Sequence, residues 1–449
     1  MSLGNLMKKH ANKLPIGLRC GGVISKLDYK YRPGISSSYR KSIKDLDLFN
    51  SYSQNVEELI FIKVKNIVNY AMSNTKFYHE FYNDNGFNVD CLNSFRDISR
   101  IPIVTKSDLR AYNIEDITCM KRSDLQLSNT GGSTGKPFNF YITSDAMGHE
   151  WAHVHHIWSK LGFSPSDLKA ILAGRSNVKN YVEYDMIRHS LSVDIYSDFD
   201  FDFVAEKIMK FSKIEKIKYL HGYPSAIFEF ASYCEKNREI LDLLKSSLKG
   251  VFLTSEYPHG YFRNKIEEVF EIKTQSFYGH TERCIIAYEK DEKENFFPLH
   301  SYGFCEIENN ELVGTAYHSY GTPLIRYATG DIVKNYKKEA NGIVSSFVLE
   351  EGRTGEFILD KGGKKIPLTA LIFGRHHELF NYVTHIQVFQ KYQGYVSIIF
   401  CPKSSLPKKA VDLFDANNVN VEFDFIEVKE PIKTISGKFK LLVDRLPNE

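Results

Sequence analysis

Ser128-Asn129-Thr130-Gly131-Gly132-Ser133-Thr134-Gly135-Lys136-Pro137 is the most informative stretch of this 449-residue chain. Glycines let a backbone approach a ligand closely, and successive N–H groups beside Ser and Thr hydroxyls suit phosphate oxygens. The stretch is not a Walker loop. That pattern, GxxxxGK[ST], requires glycine at 130 and Ser or Thr at 137, where this chain has Thr130 and Pro137. The run reads as a hydroxyl-rich flap for pyrophosphate, with a plain surface linker as the competing reading.

Moving outward, the chain from about 125 to 335 alternates short apolar runs with helical patterns. Lys169–Ala173, a helix over 203–215, Ile217–His221, a helix over 224–237 and Gly250–Leu253 follow one another. That rhythm predicts an α/β domain with mixed, largely parallel sheets built by crossovers. Upstream, the apolar spacing over 54–83 predicts one long amphipathic helix ending in the aromatic cluster Phe77, Tyr78, Phe81 and Tyr82. Ile101-Pro102-Ile103-Val104-Thr105-Lys106-Ser107-Asp108 predicts a short strand and then a capped helix start. Beyond about 357 the strand-like runs Val383–Phe389, Tyr395–Phe400 and Val419–Ile426 surround a helix near 407–416, which suggests a small α+β domain.

His149-Glu150-Trp151-Ala152-His153 matches the zincin pattern HExxH, two imidazoles one helical turn apart with a glutamate as general base. The longer metzincin pattern fails at His156 and Ser159, where it requires glycine and histidine. A zinc peptidase therefore stands as the competing enzyme class.

Composition narrows the partners. With 58 Lys+Arg against 55 Asp+Glu, the formal charge is +3, which gives no support to nucleic acid or an acidic membrane surface. The 7 cysteines are odd in number, with no CxxC pair, so neither a disulfide framework nor a cysteine zinc site is signalled. No run approaches the ~18 apolar residues of a membrane span, and the N-terminus lacks a signal-peptide core. The expectation is a reduced, cytoplasmic protein.

The ordered motifs resemble those of the adenylate-forming (acyl/aryl-CoA ligase) superfamily. Residues 128–136 resemble its phosphate loop, and Tyr278-Gly279-His280-Thr281-Glu282 its YGxTE motif. Pro323-Leu324-Ile325-Arg326-Tyr327-Ala328-Thr329-Gly330-Asp331 is similar to its TGD motif, Gly352-Arg353-Thr354-Gly355-Glu356 to its hinge, and Ser436-Gly437-Lys438-Phe439 to its C-terminal lysine motif. The PLIRYxTGD form, the 101–110 segment and Tyr223-Pro224-Ser225 resemble the branch holding phenylacetate–CoA ligase and relatives in capsular-polysaccharide and O-antigen gene clusters. The resemblance runs from about residue 54 to the end.

The resemblance implies a large N-terminal domain (1–356) for ATP and a carboxylate, and a small mobile lid (357–449) carrying a catalytic lysine. It implies an acyl-adenylate made from ATP with release of pyrophosphate, followed by transfer to an acceptor, whether coenzyme A, an amine or a hydroxyl. Ser128, Thr130, Gly131, Gly132, Ser133, Thr134, Gly135 and Lys136 would hold the β- and γ-phosphates, and Thr281 would contact the α-phosphate. Glu282 would bind Mg²⁺, a hard oxygen-seeking cation. Tyr278 and Gly279 would lie against the adenine, and Asp331 with Arg353 would hold the ribose. Lys438 would neutralise charge in the adenylation step, and Glu356 would be the hinge where the superfamily usually has Asp. Trp151, His155, Tyr223, His280 and Arg283 would line the acyl pocket. Arg283 stands where a small residue is expected. With His280 it suggests an acidic substrate such as a sugar acid, unless a nearby carboxylate pairs with it. An aryl- or acyl-CoA synthetase of the phenylacetate–CoA ligase kind is the alternative within the superfamily.

Overall fold

The aromatic-rich segment near the N-terminus forms two helices, Val56–Asn74 and Lys76–Asp84, in the computed structural model. Thr75 breaks the run: its Oγ1 accepts the Tyr78 N–H at 3.2 Å and donates to the Ala71 carbonyl at 3.0 Å. One threonine thus caps the second helix and ends the first, which corrects the single helix expected from periodicity. The structure describes all residues except 1–22, 33–34, 36, 52–54, 121–124, 130–137, 174–181, 194–200, 291, 351–356, 364, 373–376, 404, 417–418, 435–438 and 447–449.

The chain divides into two compact units, the larger running up to Glu350 and the smaller made mainly of the residues from Glu351 onward. In the larger unit, β1 (Leu125–Asn129) and β2 (Asn139–Thr143) form an antiparallel hairpin whose last pair is Asn129 with Asn139. Twelve further strands make one mixed sheet. They are β3 (Lys169–Leu172), β4 (Val182–Asp185), β5 (Ser190–Val193), β6 (Tyr219–Gly222), β7 (Gly250–Leu253), β8 (Thr274–Gly279), β9 (Ile286–Glu289), β10 (Asn295–Pro298), β11 (Gly303–Glu308), β12 (Glu311–Ala316), β13 (Tyr327–Lys338) and β14 (Val344–Leu349).

The α/β class expected from the sequence is what the chain adopts, and the parallel pairings are concentrated in one part of it. β5, β3, β6, β7 and β8 run parallel, while β4 and the strands β9 to β14 pair antiparallel. Chain length between strands explains the division. Parallel neighbours need a crossover, supplied here by helices such as Phe201–Ser212, Pro224–Lys236 and Gly260–Phe270. From β9 to β14 the links between consecutive strands hold no helix, and the pairs they leave are antiparallel. The parallel strands β3, β5, β6 and β7 are buried on both faces, as helix-covered strands should be.

One position makes this packing unforgiving. Gly222 ends β6 at φ 158°, and a Cβ there would sit 1.9 Å from the Leu172 carbonyl oxygen on β3. Gly222→Ala is expected to destabilise the protein by about 2–3 kcal/mol through overpacking against backbone, read as a lower denaturant midpoint. An unchanged midpoint would show that β3 can move aside.

In the smaller unit, β15 (Val383–Tyr392), β16 (Tyr395–Pro402) and β17 (Glu422–Glu427) form a three-stranded sheet near the short helix Ala410–Leu413. Val388, Val396, Ile398 and Leu413 share its apolar core. No helix among the described residues is long and apolar enough to cross a membrane.

Candidate active site

Three segments far apart in sequence meet around Glu282. β8 delivers Tyr278 and Gly279 at its C-terminal end, and the chain turns through His280, Thr281 and Glu282 before β9 begins. The Tyr278 hydroxyl donates to Asp331 Oδ2 at 2.7 Å, so the YGHTE and TGD segments are joined by one hydrogen bond. Asp331 lies on β13, just after Gly330, whose φ of 80° lets the strand bend there. Gly279 and Thr281 are exposed beside this pair.

Glu282 is nearly closed off from solvent, and each of its oxygens has a neighbour. Its Oε1 accepts the Tyr327 hydroxyl at 3.2 Å and faces Lys106 Nζ at 3.6 Å, and its Oε2 lies 3.3 Å from His280 Nδ1. The Ile285 N–H donates to His280 Nε2 at 3.2 Å, which places the ring proton on Nδ1, facing Glu282. Burial alone would raise the Glu282 carboxyl; the His280 hydrogen bond, with His280 and Lys106 as neighbours, outweighs it and holds the group down at about 2. Glu282 is therefore an anion throughout the physiological range.

Lys106 reaches this carboxylate because its helix is pinned to β13. The Val104 N–H donates to the Arg326 carbonyl at 3.0 Å and the Ala328 N–H to the Val104 carbonyl at 2.9 Å. Thr105 then caps the Lys106–Arg110 helix with a full capping box to Asp108. Neither Lys106 nor Tyr327 is singled out as a site residue by the sequence. Lys106 carried a signal all the same, because a cation in the first turn opposes the helix dipole and calls for a local anion.

A cavity of about 20 Å³ opens beside Glu282, lined also by Arg283, His149, Tyr302, His318 and Thr322. Arg283 pairs with Glu150, Nε to Oε2 at 3.4 Å, so the plainer of its two sequence readings is met, and His280 turns to Glu282. The expected pair of cations facing a substrate is not formed. Trp151 and His155 do not line this cavity. His155 is buried elsewhere, its Nδ1 3.0 Å from the Tyr39 hydroxyl, with the Tyr29 and Trp151 rings around it. Tyr223 also lies outside it, buried as the N-cap of the Pro224–Lys236 helix, where its N–H donates to Leu172. Ser128 sits in β1 opposite Phe140. Thr130 to Lys136, Arg353, Glu356 and Lys438 lie outside the described residues.

The HExxH histidines occupy the Ser144–Trp158 helix and are committed to hydrogen bonds. His149 Nε2 donates to the Tyr302 carbonyl at 2.9 Å, leaving Nδ1 to accept the Ser42 hydroxyl at 2.8 Å. His153 Nδ1 donates to the His149 carbonyl at 2.9 Å, and its Nε2 meets the Ser301 hydroxyl at 3.0 Å. Glu150 accepts the Tyr302 hydroxyl. Each imidazole lone pair is thus taken by a hydroxyl, and the peptidase expectation gives way to a buried polar network.

Burial holds His149 and His155 well below the usual imidazole range and His153 down to about 3. The unfolded chain protonates these groups below about pH 6.5 while the folded chain does not, so their contribution is present above that pH and lost as pH falls. Denaturation at pH 7.5, 6.5 and 5.5 should show stability dropping by about 1 kcal/mol or more per pH unit below 6.5. A flat profile would mean that these rings are hydrated or charged in the fold.

No protein-family model matches the chain. It is 27 % identical over 310 residues to Protein CapK of Staphylococcus aureus, a match spanning 66 % of this chain and 66 % of that protein, just short of two thirds of its length. Among solved structures, 2-hydroxyisobutyryl-CoA ligase in the postadenylation state with R3-HIB-AMP aligns at a TM-score of 0.65, covering 87 % of this chain and 89 % of that one at 16 % identity. An open conformation of the same ligase with 2-HIB-AMP and CoA gives 0.54, covering 87 % and 91 %. The chain has the fold of the adenylate-forming CoA ligases.

Proposed function

We propose that this protein is an AMP-forming ligase that activates a carboxylate with ATP and passes the acyl group to an acceptor. The observation that carries the reading is the meeting of Tyr278, Asp331 and an ionised Glu282 at the C-terminal end of β8. A hydrogen-bonded aromatic next to a carboxylate suits an adenosine, with Tyr278 against the base and Asp331 accepting from the ribose hydroxyls. Thr281, exposed between them, would contact the α-phosphate. Ser128 and the loop through Lys136 would hold the outer phosphates, Arg353 would assist at the ribose, Glu356 would form the hinge and Lys438 would neutralise the adenylation step. The order of the motifs supports these last roles.

Glu282 fits Mg²⁺: it is a single carboxylate kept charged by its neighbours, and Mg²⁺ commonly binds one or two carboxylates together with substrate phosphates. The ion would offset phosphate charge. Lys106 and His280 hold the carboxylate in place. Positioning and charge stabilisation of this kind supply most of the catalysis in phosphoryl chemistry.

The branch resemblance, with which the similarity to Protein CapK agrees, supports a place in bacterial surface-polysaccharide biosynthesis, with an amine, hydroxyl or thiol acceptor. An acyl-CoA synthetase is the second reading, favoured by the CoA-bound ligase of the same fold. Hydroxylamine distinguishes activation from transfer, since it traps acyl-adenylates without the native acceptor. Incubation with ATP, Mg²⁺ and a panel of aryl, amino and sugar acids should give hydroxamate and AMP with at least one acid. ADP as the nucleotide product would contradict the proposal.

A further inference from the structure

The cavity beside Glu282 holds polar groups that the fold does not use. Arg283 sits at φ 59°, a left-handed conformation costing a side-chain-bearing residue ~1–2 kcal/mol. Glycine would take that conformation freely, so a retained arginine invites a functional explanation. Its Nε faces Glu150, its Nη2 reaches Met147 Sδ at 3.2 Å, and its Nη1 is buried with no hydrogen-bond partner among the described residues. A buried donor left without an acceptor costs ~1–3 kcal/mol. On the same wall the His318 ring lies over His149, 4.0 Å between centroids, with no hydrogen-bond partner among the described residues. Burial holds His318 down at about 4, so near pH 7 it offers one donor and one acceptor nitrogen.

Charge decides what these groups can receive. The Arg283 guanidinium is already offset by Glu150, and the Glu282 carboxylate is already matched by Lys106. A second anion on the substrate would have to compete with Glu150 for the Arg283 charge. An uncharged oxygen would satisfy Nη1 without that penalty, and a hydroxyl could also use the imidazole. The space of about 20 Å³ is close to the ~10–15 Å³ that one water needs, which is hydroxyl-sized.

Resting on the ligase reading above, we infer that this cavity selects carboxylic acids bearing a hydroxyl or similar uncharged oxygen near the carboxylate, held by Arg283 Nη1 and His318. Hydroxylated acids, sugar acids among them, form this class. Dicarboxylates do not.

Carboxylate-dependent ATP–pyrophosphate exchange tests this with matched acids that differ only in carrying a methyl, a hydroxyl or a second carboxylate. The hydroxylated acid is expected to lead the methyl acid by at least about tenfold in kcat/KM, the scale of one buried hydrogen bond. Arg283→Met, which keeps the bulk and removes the donor, should collapse that ratio towards one. Arg283→Gly should do the same while raising the melting temperature, which separates lost selectivity from lost folding. Preference for the dicarboxylate, or an Arg283→Met variant that keeps the wild-type ratio, would overturn the inference and leave the ligase reading standing. Exchange with no acid at all would overturn both.

Discussion

Asp331→Ala is expected to lower kcat/KM for ATP by about a hundred- to thousandfold. Two hydrogen bonds from ribose hydroxyls to a carboxylate are worth ~1.5–3 kcal/mol each, and each 1.4 kcal/mol is a factor of ten. The loss should fall mainly on KM, because the ribose is remote from the reacting phosphorus and contributes equally to ground and transition states. Tyr278→Phe is the control. It removes the same 2.7 Å hydrogen bond but keeps the carboxylate, and should cost about tenfold or less. Equal losses in the two variants would mean that Asp331 merely anchors Tyr278. The exchange rate at varied ATP, with the acid saturating, distinguishes these outcomes.

The second large effect is on stability. Arg326 is 4 % exposed, and its guanidinium donates to the Ser99 and Ile101 carbonyls at 2.8 and 2.6 Å, to Glu306 at 3.1 Å and to Glu308 at 3.2 Å. Arg326→Ala would leave Glu306 buried without its cation. Removing one partner of a buried pair costs ~3–5 kcal/mol. Burial already pushes Glu306 up to about 7 against the pull of Arg326, and the variant would push it further. A carboxyl raised in the folded state favours folding at low pH and opposes it as pH rises. The deficit of Arg326→Ala should therefore be larger at pH 8 than at pH 5. A pH-independent deficit would show that Glu306 finds another partner. The same arginine fixes the 99–104 segment that carries Lys106 towards Glu282, so the variant should also raise KM for ATP.

Much of this was legible from residue type and order. Gly250–Leu253 is a strand over the bounds its apolar run implies, and the capped start at Thr105 forms as read. What escaped were contacts closed by distant segments. Periodicity runs straight through Thr75, and only the capping geometry shows the break. HExxH looks like a metal site because its spacing is local, whereas Ser42, Ser301 and Tyr302, which engage its histidines, lie more than a hundred residues away. Arg283 is similar: Glu150 pairs with it from the Ser144–Trp158 helix, and the left-handed backbone at 283 has no sequence signature. The antiparallel half of the large sheet was available in principle, since the links between consecutive strands from β9 to β14 hold no helix.

The central claim is that a carboxylate is activated on ATP, and carboxylate-dependent ATP–pyrophosphate exchange measures that step without knowledge of the acceptor. Label is expected to enter ATP only when a carboxylic acid is present, with Asp331→Ala folded but severely impaired. Tight ATP binding with no exchange across aryl, amino and hydroxylated acids would contradict it.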